Sequence, residues 1–416
     1  MKVFKFGGAS VRNAQAVRNM ASIVERYKNE ELLIVLSAMG KTTNALESIW
    51  QDRLAEKNIA EKLEDLRTYH FGILHELIPD TQHPAATELA QWFEQLNNYL
   101  QKVDSNANRY YDALISFGEL VSSHIVAHYL NHIGCPTQWL DAREVIATDN
   151  TAREGKIDWE KTHERCNQLI KPNIKNKRII TQGFIGKSED GYTTTLGREG
   201  SDFTAAIVAS CLQAESVSIW KDVPGILNCD PKLFADAVKF EELSYQEAAE
   251  MTYYGASVIH PKTIKPLANK NIPLWVKSFE APEERGTLIH DCIMGQLPPC
   301  IIIKPNQCLI TFKVTDFTFI NEENLSLIFH SLDALNIKIN VMQNTAISFS
   351  ICVDNQDYKI KALINRLQDH FKILYNEDLT LATVKNYSPE VIKRISEGKK
   401  IYLEQRSRSN FQAVMA

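Results

Sequence analysis

From residue 1 to about 290, short apolar runs bounded by turn residues alternate with longer stretches of helical period. The runs VFKF at the start, ELLIVLSA at 31–38, PTQWLDA at 136–142, RIITQGFIG at 178–186, SVSIW at 216–220 and IPLWVKS at 272–278 predict strands. Between them, segments 12–28, 43–56, 58–79, 84–103, 108–132, 203–214, 244–254 and 261–270 repeat their apolar residues at helical spacing and predict helices. Apolar strands separated by helices specify a mostly parallel sheet covered on both faces, a three-layer α/β/α sandwich. Sheets of this kind bind ligands at the carboxyl ends of their strands.

The pattern changes at 291–306, DCIMGQLPPCIIIKPN, where prolines interrupt it and shorter elements begin. Beyond lie a strand at 308–314, a helix at 321–335, strands at 337–342 and 346–353, a helix at 356–369 and strands at 371–375 and 379–385. That order is the β-α-β-β-α-β of a ferredoxin-like α+β unit, with one extra strand. A helix at 389–397 and strands near 400–405 and 411–415 follow. The predicted domains are therefore 1–295, 300–386 and a tail, 387–416, that is either a partial second unit or a return segment.

Composition excludes several functions. A chain of 416 residues with a formal charge of −5 has no electrostatic reason to bind nucleic acid or an anionic membrane. No run approaches the roughly 18 apolar residues of a membrane helix, and the start MKVFKFGG reads as neither a signal nor a transit peptide. Eight scattered cysteines without a CxxC pair predict reduced thiols and a cytoplasmic protein. In SSHIVAHYLNHIG, His124, His128 and His132 share one helix face, but no acidic or cysteine ligand adjoins them in the local sequence. No protein-held metal is expected there.

Four stretches carry candidate chemistry. KFGGAS delivers Lys5 into Gly7, Gly8 and Ser10 with a helix starting near Arg12, the parts of a phosphate cradle, although the spacing is neither GxxxxGK[ST] nor GxGxxG and also suits a plain tight turn. TTTLGREGSDFTAAIVA sets Arg198, whose fork suits a carboxylate or phosphate, before Ser201 and Asp202 at a helix start, where the plain alternative is an N-cap. IWKDVPGILNCDPK is a long polar turn at a strand's carboxyl end, and SFGELVSS puts Glu119 on an otherwise apolar helix, able to serve the helix dipole or an amine.

In this order KFGGAS, VLSAMGKTTNAL, SFGELVSS, TTTLGREGSDFTAA, IWKDVPGILNCDPK and ELSYQEAAEMTYYGASVIHPKTIKPL resemble the aspartate kinases of the amino-acid kinase superfamily, and the C-terminal region resembles their regulatory ACT region. The resemblance implies transfer of the ATP γ-phosphoryl group to the β-carboxylate of L-aspartate, the first step toward lysine, threonine and methionine, with Mg²⁺ held mainly by the nucleotide. It implies that Lys5 and Asp202 are catalytic and that Ser37, Thr43, Glu119, Arg198 and Ser201 bind substrate. Gly7, Gly8, Ser10, Lys221, Asp222, Lys232 and Ser257 match nucleotide-side positions.

The departures from the family pattern cluster at the nucleotide: Ala9 replaces a threonine, Leu227 a common aromatic, and Ser257 a lysine near the phosphates. Lys221 is an added cation nearby, expected to compensate for Ser257. The resemblance further implies a homodimer through the ACT region and feedback by lysine or threonine, with Asn340, Gln343 and Asn344 as effector contacts. Two readings stay open beside it: another amino-acid kinase of glutamate type, and a catalytically weak amino-acid sensor.

Overall fold

Val3 and Lys5 face one side of the first strand, Lys2–Phe6, and Phe4 and Phe6 the other. Phe4 and Phe6 enter a core with Leu32, Ile34 and Leu36, closed by the apolar faces of helices Ala14–Arg26, Thr42–Leu54, Pro84–Gln101 and Ala107–His132. Phe6 stacks on Trp220, with ring centroids 5.8 Å apart and planes within 7°. The opposite face, carrying Lys5, packs against helix Gly200–Leu212. The structure, a computed structural model, describes residues 1–102, 106–256, 259–315 and 318–416; Ser257 lies outside them.

Two units emerge. The first, built on Met1–Ile226, Lys239–Ala249 and a stretch ending at Ile293, holds an eight-stranded sheet. Its order is Thr137–Leu140, Arg178–Gln182, Leu32–Leu36, Lys2–Phe6, Ser216–Lys221, Leu274–Ser278, Thr287–His290, Glu242–Ser244. Neighbours run parallel except where Thr287–His290 turns back on Leu274–Ser278. The mostly parallel sheet predicted from the apolar runs is thus present. RIITQGFIG is not one strand: Phe184 takes a positive φ of 70°, and Ile185–Ser188 leaves for a separate three-stranded sheet with Ala147–Thr148 and Thr193–Thr195. The helix expected from Arg12 begins instead at Ala14, where Asn13 Oδ1 accepts from the Ala16 N–H at 2.8 Å, and a 3₁₀ turn, Gly8–Val11, fills the gap.

The second unit comprises Leu227–Val238, Glu250–Ala256 and Met294–Ala416. Its sheet is antiparallel and six-stranded, ordered Ile339–Asn344, Ser348–Asp354, Cys300–Lys313, Lys372–Lys385, Asn410–Met415, Ile401–Arg406. Two expected breaks are absent. Lys372–Lys385 is one strand where two were expected at 371–375 and 379–385, and the strand placed at 308–314 starts at Cys300, running through Pro305 and Asn306 at a bulge between Lys304 and Gln307. Proline and an asparagine at φ 54° mimic a linker in sequence, yet a bulge accommodates both inside a strand. The tail strands Ile401–Arg406 and Asn410–Met415 extend this same sheet.

Candidate active site

The four central parallel strands converge at their carboxyl ends on a cavity of about 440 Å³. Lys5, Ser37, Thr43, Glu119, Arg198, Ser201, Asp202 and Lys221 all line it, although they come from five separate stretches of sequence. Register explains the cations. Lys5 pairs with Ile219 across the sheet, so Lys221, two residues further along that strand, projects from the same face.

Asp202 receives both. It sits in the first turn of helix Gly200–Leu212, 2 % exposed, with Oδ1 2.6 Å from Lys5 Nζ and Oδ2 3.2 Å from Lys221 Nζ. Burial opposes ionisation here, but the two ammonium groups outweigh it and hold the carboxyl below its ordinary range. The plain N-cap reading of Ser201-Asp202 does not hold: the helix starts at Gly200 behind Glu199 in a left-handed conformation, and Asp202 faces lysines rather than backbone N–H groups. Close packing fixes this start. A Cβ on Gly183 would meet Ser201 Cβ at 2.4 Å, and one on Gly200 would meet Phe184 Cδ2 at 2.6 Å.

Glu119 is 3 % exposed in helix Ala107–His132, and burial pushes its carboxyl up to about 8. Backbone hydrogen bonds at Glu119 itself and Ala38 only partly oppose that. Among the described residues Glu119 Oε2 has no hydrogen-bond partner. A buried carboxylate oriented into a cavity without a counter-ion is suited to an incoming ammonium.

The glycines after the first strand have different tasks. Gly8 carries a contact: its carbonyl accepts from the Gly40 N–H at 3.0 Å, and a Cβ would lie 2.7 Å from the Ala38 carbonyl oxygen. Gly7 clears space, since a Cβ there would meet only Lys5 Nζ, at 3.4 Å. Ser10 is buried, and among the described residues its hydroxyl has no hydrogen-bond partner.

Five cavity residues escaped sequence reasoning: Tyr111, Arg153, Phe184, Thr195 and Glu199. Arg153 takes a φ of 66° in a loop without periodic signal, and its guanidinium lies 3.9 Å from the Tyr111 ring centroid. Fully buried Asp112 holds it there, accepting from the Arg153 N–H and the Thr195 hydroxyl at 2.7 Å each.

Other expected residues lie elsewhere. Asp222 is exposed immediately after strand Ser216–Lys221. Lys232 belongs to the second unit, on a turn where its N–H donates to Asp230. Asn340 is already engaged: its Oδ1 accepts from Lys304 Nζ at 2.9 Å, and its Nδ2 donates to Gln307 at 2.7 Å and Asp354 at 2.9 Å. Gln343 and Asn344 are exposed on the same sheet-edge strand.

Comparison with known proteins agrees with this architecture. Residues 1–278 match the amino acid kinase family. The lysine-sensitive aspartokinase 3 of Escherichia coli is 34 % identical over 356 residues, 85 % of this chain and 78 % of that protein. Aspartokinase III of E. coli, solved with aspartate and ADP, superposes with a TM-score of 0.84 at 29 % identity, covering 100 % of this chain and 96 % of the other. The same enzyme solved with lysine and aspartate gives 0.82 at 28 %, covering 100 % and 95 %. The chain belongs to the amino acid kinase family and, within it, to the aspartokinases.

Proposed function

We propose that this chain transfers the γ-phosphoryl group of ATP to the β-carboxylate of L-aspartate, giving 4-phospho-L-aspartate. The observation that carries the reading is the pairing, in one cavity, of a two-lysine carboxylate cluster with the buried carboxyl of Glu119, whose Oε2 has no hydrogen-bond partner among the described residues. The aspartate α-ammonium pairs with Glu119, which gives up its proton as the ammonium binds, and Arg198 takes the α-carboxylate. Ser37, Thr43 and Ser201 supply further polar contacts to the substrate, and its β-carboxylate is left toward Lys5.

The attacking carboxylate has no proton to lose at neutral pH, so the reaction needs no general base. Asp202 positions Lys5 and Lys221, and Lys5 stabilises the negative charge on the moving phosphoryl oxygens. With both oxygens of Asp202 facing lysine, this carboxylate is poorly suited to hold Mg²⁺. Mg²⁺ would instead be held by the ATP phosphates and would supply charge neutralisation there. Gly7, Gly8 and Ser10 line the phosphates, and Lys221 and Asp222 serve the nucleotide side.

Feedback by lysine follows from the likeness to the lysine-sensitive relative, and the exposed edge strand Ile339–Asn344 suits pairing with a second copy. Eight free cysteines suit a reducing cytoplasm.

The test is formation of aspartyl hydroxamate from ATP, Mg²⁺, hydroxylamine and L-aspartate, with glutamate and N-acetylglutamate in parallel. Aspartate-dependent product lost in Lys5→Ala supports the reading. Product from glutamate alone moves the chain to a glutamate-type kinase. Lysine or threonine binding with no product from any acceptor makes it a sensor.

A further inference from the structure

Helices Pro84–Gln101 and Ala107–His132 lie antiparallel, as the ring contacts Tyr99–Tyr110, Trp92–Phe117 and His83–His128 show by stepping in opposite directions along the two. Their far end gathers Glu88 from one helix with His124 and His128 from the other. One ligand atom from each lies within 4.8 Å of the other two. Glu88 Oε2 is 3.3 Å from His128 Nε2 and 3.8 Å from His124 Nε2.

We propose that Glu88, His124 and His128 form a site for a divalent transition-metal ion of zinc type, clasping the two helices together away from the kinase cavity. The i, i+4 spacing puts both imidazoles on one helix face, and two histidines with one carboxylate are a recurrent zinc donor set that leaves a fourth position for water. Donors about 2.0–2.2 Å from a tetrahedral ion stand roughly 3.4 Å apart, so small side-chain rotations bring these three into place.

The independent observation is His124. It is 5 % exposed, and among the described residues its Nε2 has no hydrogen-bond partner. A hydrogen bond to the Ala85 backbone engages the ring, the kind of contact that fixes the tautomer of a metal-binding histidine and presents its other nitrogen to the ion.

His83, near His128 and His132, does not complete the set. Its Nδ1 is already engaged, accepting from the Ala85 N–H at 3.2 Å. In the sequence His132 groups with His124 and His128 on one helix face, and no metal was expected there because no acidic ligand adjoins them in sequence. The structure supplies that ligand as Glu88, 40 residues before His128 and therefore invisible to local spacing.

The test is titration of the untagged, metal-stripped full chain with Zn²⁺ by calorimetry, and with Co²⁺ by visible absorption. The expected result is one ion per chain, a visible Co²⁺ band without thiolate charge transfer, and a higher melting temperature with Zn²⁺. Glu88→Ala and His128→Ala change exposed or half-exposed side chains, so both should fold. Each should weaken binding by at least about tenfold, with His132→Ala unchanged. Hydroxamate activity with Mg²⁺ but without added Zn²⁺ should stay at the parent level in all three. Parent-like Zn²⁺ affinity in Glu88→Ala and His128→Ala, or no stoichiometric binding by the parent, overturns the proposal.

Discussion

Lys5 and Asp202 meet at 2.6 Å where the first strand of the sheet packs on helix Gly200–Leu212, and Lys221 closes the other oxygen of the same carboxylate. Asp202→Asn keeps the shape and removes the charge that holds both ammonium groups. The expected outcome in the hydroxamate assay is a fall in kcat of about 10²–10³-fold, with the KM for aspartate within about threefold of the parent, because the loss falls on the transition state. A parent-like kcat would show that the pair is only structural.

Lys221 approaches Asp202 from the strand next to that of Lys5. On the nucleotide-side reading, Lys221→Thr raises the KM for ATP by about tenfold and that for aspartate by less than about threefold. Steady-state kinetics with each substrate varied in turn decides this. An unchanged KM for ATP would remove Lys221 from the nucleotide side, and with it the idea that it compensates for Ser257.

Glu119 gives a prediction whose sign follows from its raised pKa. Below pH about 4.5 folded and unfolded chains both hold the proton; between that and about 8 the unfolded chain loses it first, so this group erodes stability as pH rises. Glu119→Gln removes that loss. In thermal melts its melting temperature relative to the parent should therefore climb steadily from pH 5 to pH 8. Aspartate should raise the parent's melting temperature and leave that of Glu119→Gln nearly unmoved. A pH-independent difference would mean that Glu119 is already ionised at neutral pH.

The parts of the site legible in sequence are those with a local signature. Lys5 stands before two glycines at a strand end, and Asp202 stands in the first turn of an apolar helix, so residue type and spacing suffice for both. Arg153 and Glu199 have no such signature. Each holds a non-glycine backbone at positive φ, 66° and 54°, and Arg153 is kept there by Asp112, 41 residues earlier on another element. The same limit governs the fold: Pro305 and Asn306 read as a break because a bulge is recognisable only from the strand paired against it. Short-range chemistry survives in the sequence pattern, while tertiary contacts that override propensity do not.

Gly7 and Gly8 are adjacent and chemically identical, yet the structure assigns them separate costs. A methyl at Gly8 would press on two backbone oxygens, those of Ala38 at 2.7 Å and Gly40 at 2.9 Å, neither of which can rotate away. Gly8→Ala should therefore lose about 1–3 kcal/mol of stability in denaturant unfolding. At Gly7 a methyl meets only Lys5 Nζ, the far end of a flexible side chain, at 3.4 Å. Stability should change by less than about 1 kcal/mol. The displaced ammonium, however, is the one paired with Asp202, so Gly7→Ala should lower kcat by about tenfold or more in a fully folded protein. Activity loss with intact stability at Gly7, beside stability loss at Gly8, separates a glycine that makes room for the reacting phosphoryl from one that lets two loops touch. Equal stability losses at both positions would mean that the pair is a tight turn and nothing more.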